Sequence, residues 1–144
     1  MDFSPTERVE TIRELAQKFL KSQVEPLESV VLNQGWKAAE ERLPAVRERA
    51  KETGLFAPHM PEEIGGGGLS LMEQAQLSEV LGGQLLGHLA FNFAAPDVGN
   101  MELIHAFGTP EQKKRWLEPL VAGTTRSTFL MTEPEHAGSN PVWM

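Results

Sequence analysis

Residues 129–140, Phe-Leu-Met-Thr-Glu-Pro-Glu-His-Ala-Gly-Ser-Asn, gather the groups whose types and spacing could hold a ligand. Residues 129–132 are apolar or β-branched and follow a turn-forming Gly123-Thr124-Thr125, which predicts a short strand. Pro134 ends that strand, and Ala137-Gly138-Ser139 forms a small-residue loop whose backbone N–H groups a ligand could approach closely. Thr132 and Ser139 add hydroxyls that donate to or accept from a polar ligand edge. An aromatic ring stacked beside a phosphate would suit such a junction. The same residues also suit an ordinary strand-to-loop turn with no ligand.

The elements that must position this stretch read as helices. Ser4-Pro5-Thr6-Glu7 is a capping box with Ser4 as cap, followed by an apolar stripe of Val9, Ile12, Leu15, Ala16, Phe19 and Leu20. Pro26 is expected to break this helix, leaving 27–36, which includes the turn-forming Asn33-Gln34-Gly35, as a loop or a single helical turn. A helix is predicted from Leu43 to Thr53, capped by Gly54, with Arg47 among the charged residues of a solvated face. The four glycines at 65–68 lack a following Gly-Lys-Ser/Thr, so they predict flexible backbone between close-packed helices, not a phosphate cradle. Ser70-Leu71-Met72-Glu73 starts another helix, and the apolar run 85–93 predicts a buried one, in which Asn92 must find a partner. After the break at Ala95-Pro96-Asp97, a helix ends at Gly108. Thr109-Pro110-Glu111-Gln112 then opens the last one, which Pro119 should bend and in which Trp116 should anchor the core.

Composition narrows the function. The 144 residues carry 13 basic and 20 acidic side chains, a net charge of −7 that argues against nucleic acid as a partner. There is no cysteine, so disulfides and thiolate metal sites are excluded, and His59, His88, His105 and His136 form no ligand cluster. No membrane-length apolar run and no signal peptide is present, and the cytoplasm is the default expectation.

Three segments carry a resemblance. Pro61-Glu62-Glu63-Ile64-Gly65-Gly66-Gly67-Gly68, the run Phe107-Gly108-Thr109-Pro110-Glu111-Gln112-Lys113-Lys114-Arg115-Trp116-Leu117, and Met131-Thr132-Glu133-Pro134 with Ala137-Gly138-Ser139 resemble motifs of the acyl-CoA dehydrogenases, in order and spacing. The resemblance implies an all-α N-terminal domain of five or six helices over residues 1–125. The start of a middle β-domain would then cover 126–144. It implies FAD as cofactor, with contacts from Phe129, Met131, Thr132, Gly138 and Ser139, and an acyl-CoA substrate that Ser139 also touches. An electron-transfer flavoprotein and a second copy of the chain are the implied partners, for α,β-dehydrogenation in fatty acid oxidation. The family's catalytic glutamate belongs to a C-terminal helical domain outside these residues, so this chain alone is expected to be inactive.

Two local departures stand out. Four residues separate Pro134 from Ser139, one more than in short- and medium-chain members, and Asn140 replaces a common aspartate. The longer loop and the segment 95–102 resemble one branch of the family. An acyl-CoA oxidase-like or flavin monooxygenase-like relative, and a non-catalytic helical interaction module, are the alternative readings.

Overall fold

The computed structural model describes residues 4–131, 134–135 and 142, and its regular structure among these is entirely helical. Helix α1 (Glu7–Phe19) starts at Thr6, not at Ser4: Thr6 is extended (φ −77°, ψ 164°) and its hydroxyl accepts from Val9 N–H at 3.3 Å. Val9, Ala16 and Phe19 bury the inner stripe, and α1 packs on α5 (Leu71–Leu81).

Pro26 does not break the first helix. The chain passes from α1 through a π-turn at Leu20–Val24 into α2 (Glu25–Gln34), which ends at Gly35 (φ 83°). A proline inside an α-helix has no N–H to give, and its ring collides with the carbonyl four residues earlier. One extra residue in the preceding turn moves that carbonyl aside, and Glu25 N–H donates instead to Leu20 O, five residues back. The loop expected at 27–36 is therefore mostly helix.

The same device recurs at Pro119. A π-turn at Lys113–Leu117 follows α8 (Pro110–Gln112), Glu118 N–H bonds Lys113 O, and α9 (Glu118–Val121) continues past the proline. The two sites share a local sequence, Val24-Glu25-Pro26-Leu27 and Leu117-Glu118-Pro119-Leu120, with both flanking apolar pairs buried. In the second, the extra residue gives the buried position to Leu117 (3% exposed) and leaves Trp116 on the rim (46%), contrary to the core role expected of it.

Between these proline-bearing helices lie α3 (Trp36–Glu40), α4 (Leu43–Glu52), α5, α6 (Gly87–Ala90) and α7 (Asp97–Phe107). The capping boxes at Ser70/Glu73 and Thr109/Gln112 form with both reciprocal bonds. The apolar run 85–93 gives only the short α6, because Asn92 takes a left-handed φ of 54° and Phe91 O accepts from Ala57 N–H. Leu85 is exposed while Leu86, Ala90 and Phe91 enter the core, where Phe91 meets Phe19 edge-on at 5.0 Å.

The glycine run is pinned, not flexible. Gly66 N–H bonds Pro61 O, Gly67 N–H bonds Ala57 O and Gly68 N–H bonds Met60 O, so these amides face inward and cradle nothing. A Cβ on Gly66 would lie 2.1 Å from Met60 O, which is backbone and cannot yield.

Glycines at 66 and 99 should therefore respond oppositely to alanine. Gly66→Ala is expected to cost on the order of 3 kcal/mol. Gly99 lies inside α7 with nothing within 4 Å of its Cβ position, so Gly99→Ala should stabilise the chain by about 0.5–1 kcal/mol. Urea unfolding midpoints check both signs.

Candidate functional site

The segment that leaves the last helix is held by a buried carboxylate. Asp97 opens α7, is 3% exposed at its side chain, and its Oδ1 accepts from Ser127 N–H at 2.7 Å and from Ser127 Oγ at 2.6 Å. Its Oδ2 accepts from Arg126 Nε at 2.6 Å. One turn along α7, Asn100 Nδ2 donates to Ser127 Oγ at 2.8 Å and reaches Thr128 O at 3.5 Å. Burial pushes the Asp97 carboxyl up, but the Ser127 hydroxyl and N–H and the Arg126 guanidinium outweigh it. The net effect is a value below the ordinary one. Asp97 is ionised and fully engaged.

A second buried polar group fixes where this segment starts. Arg47, on α4, is only 7% exposed, although Glu48 and Arg49, which follow it, face water. Its Nη1 donates to Leu89 O at 2.6 Å and its Nη2 to Asn92 Oδ1 at 2.9 Å. The Asn92 amide then donates to Leu120 O at 2.9 Å, which also accepts from Gly123 N–H, and to Val121 O at 3.3 Å, holding the end of α9. Burial lowers the Arg47 pKa, and the nearby Arg126 charge adds to this while Asp97 opposes it. Gly123 (φ 70°) completes the junction, since a Cβ there would press on Phe56 and on Arg47 Nη2.

From this anchor, residues 126–131 run free of helix. No strand occurs among the described residues, none of which pairs with 129–131 in a ladder, and Thr132, the last residue of the expected strand, lies outside them. Phe129, Leu130 and Met131 are exposed by 62%, 90% and 45%, an apolar tip on a tethered base. Beside the tether lies a cleft of about 390 Å³, walled by Leu103, Ile104 and Trp116 on one side and by Thr125, Arg126 and Thr128 on the other. Arg115 stacks on Trp116 with its guanidinium carbon 5.2 Å from the ring centre. Two larger clefts, of about 430 and 600 Å³, open around Arg13 and Glu79 and contain no residue of this segment.

The sequence-predicted site divides accordingly. Phe129 and Met131 sit together at the exposed tip. Thr132, Gly138 and Ser139 lie outside the described residues. Sequence reasoning missed Arg47 and Asp97. Arg47 was legible in the helical period of Leu43, Val46, Arg47 and Ala50, which places it on the buried stripe and off the charged face.

The model of the acyl-CoA dehydrogenase N-terminal domain matches residues 6–124. This chain belongs to the acyl-CoA dehydrogenase family. Acyl-CoA dehydrogenase family member 10 of Mus musculus is 39% identical over 143 residues, covering 92% of this chain and 13% of the relative. FadE2 of Mycobacterium tuberculosis, described as an acyl-CoA dehydrogenase, is 43% identical over 96 residues, 66% of this chain and 23% of its own. A solved Mycobacterium abscessus structure described as an acyl-CoA dehydrogenase superposes with a TM-score of 0.87 at 37% identity, over 98% of this chain and 38% of that one. The chain thus spans well under half the length of these relatives. Among the described residues no helix of this family member is long and apolar enough to cross a membrane.

His59 lines a separate cleft of about 370 Å³ with Glu62 and Glu63, yet no metal-holding group of side chains forms among the described residues. Both its ring nitrogens are buried without a hydrogen-bond partner, and the ring stacks on Phe93 at 5.4 Å. Burial lowers its pKa to about 4. The unfolded chain binds this proton near the ordinary value of 6.5, so stability is full above that pH and falls as pH drops toward 4. The loss between pH 7 and 5 should be on the order of 2 kcal/mol, and His59→Phe should flatten it. Asp97, depressed in the native state, contributes a separate acid limb as pH falls through its lowered value. Denaturant midpoints across pH 7 to 5 for both proteins read the difference.

Proposed function

We propose that this chain forms the helical wall and the flavin-facing edge of an FAD-dependent enzyme that dehydrogenates acyl-CoA thioesters between the α and β carbons. The observation that carries this reading is the tethered tip: 129–131 project apolar side chains outward from a base held by Asp97. A flavin ring presents an apolar face and a polar edge, and a Phe-Leu-Met tip followed by the Thr132 hydroxyl offers matching groups. When bound, the flavin supplies the acceptor for the hydride that leaves the β carbon.

In this reading Phe129 and Met131 pack on the ring, while Thr132 and the Gly138 backbone meet its polar edge. Ser139 meets the flavin or the thioester substrate. The domain boundary is placed after Thr125, a position supported by the end of α9 at Val121 and by the family match to residue 124. Asp97 is no candidate for the base. A base for an α C–H needs a pKa raised toward neutrality, and this carboxylate is held below its ordinary value by three hydrogen bonds. The proton is instead taken by a glutamate beyond the helical domain. Electrons pass to an electron-transfer flavoprotein, the enzyme works as a homo-oligomer, and its compartment is the cytoplasm.

Thr132→Val tests the reading, because it keeps the side chain's shape and removes its hydroxyl. In the flavin-loaded protein that contains this chain, the loss should weaken flavin retention by up to roughly tenfold, the equivalent of a neutral hydrogen bond of about 0.5–1.5 kcal/mol. Thr128→Val should leave retention unchanged, since among the described residues Asn100 engages the Thr128 carbonyl, which the substitution keeps. Equal retention in both variants would remove Thr132 from the site.

A further inference from the structure

The geometry points to Asp97 as the positioning residue of the flavin-facing edge: by fixing 126–128 against the start of α7, it sets the direction in which 129–131 leave the helical body. This rests on the reading of 129–139 as that edge. Three features support it. Asp97 is buried and spends both carboxylate oxygens on Arg126 and Ser127, the two residues that enter the exposed segment. A backbone N–H is among its donors, so the bond constrains the main chain and not only a side chain. Asn100, at one helical turn, holds the Ser127 hydroxyl from the same face, so Ser127 is gripped at two points of one rigid helix.

The charge of Asp97 matters as well as its shape. Arg126 is close enough to disfavour the buried Arg47 cation, and Asp97, ahead of Glu48, opposes this at Arg47. An asparagine would keep a carbonyl oxygen for Ser127 but add an amide facing the Arg126 guanidinium. The tether would then lose its charge-assisted bond while the helical core, held by apolar packing, stays intact.

The test compares the wild-type chain with Asp97→Asn, Asn100→Ala and Arg126→Gln. Hydrogen exchange should show the Ser127 amide exchanging at least about tenfold faster in Asp97→Asn, with α1 and α5 amides unchanged. Asn100→Ala and Arg126→Gln should give smaller changes in the same place, and they decide the matter if Asp97→Asn does not fold. In the flavin-loaded protein, Asp97→Asn should weaken flavin retention about tenfold and alter the visible absorption band of the bound flavin. Unchanged Ser127 exchange, or faster exchange spread evenly over the helices, would overturn the inference. Faster Ser127 exchange with unaltered flavin binding would also overturn it; if Thr132→Val still loosened the flavin, the reading of 129–139 would survive. If Thr132→Val were silent as well, both would fall.

Discussion

A guanidinium removed from water must have its charge answered nearby, and Arg47 meets that requirement through groups drawn from distant parts of the chain. Its two hydrogen bonds reach the carbonyl of Leu89 and the side chain of Asn92, and Asn92 passes the connection to Leu120 and Val121. The end of the last helix is thereby fixed to α4 and to the turn after α6. Deleting either polar partner would strand the other in a dry interior, which is far costlier than losing one exposed pair. The exit of the chain toward its exposed tip follows from this junction, with Gly123 fitted against Phe56 and Asp97 gripping the next turn.

Backbone irregularities elsewhere serve the same placement. Each π-turn lets a helix continue through an interior proline, and the second brings Leu117, Leu120 and Val121 to the core while turning Trp116 toward the cleft. The glycine run at 65–68 closes tightly on 57–61 with its amides already used, which removes it as a phosphate site and makes it a structural clasp. The proposed flavin-facing edge lies at the other end of the chain, where Phe129, Leu130 and Met131 are exposed beyond the Asp97 tether.

Much of this was legible in the residues. The capping boxes at Ser70 and Thr109 and the stops at Gly54 and Gly108 form helix ends as their chemistry requires. The demand that Asn92 find a partner is met by three. Pro26 misled because a local rule, that proline ends a helix, yields when the preceding turn absorbs an extra residue. Arg47 misled because charge suggests solvent, while its spacing from Leu43, Val46 and Ala50 placed it inside. The strand at 129–132 followed local β-propensity, but a strand exists only through a partner, and none is present among the described residues. Asp97 carried no sequence signal beyond its place at a helix start, since its partners lie 29 and 30 residues away.

Covalent mapping of the flavin's position tests the central claim most directly. Photolysis of the protein loaded with an azido-substituted flavin, followed by trypsin digestion, should place the adduct on the peptide that follows Arg126, which holds Phe129, Met131 and Thr132. Adducts that fragmentation of the peptide between Lys51 and Lys113 locates at the glycine run, 65–68, would contradict it.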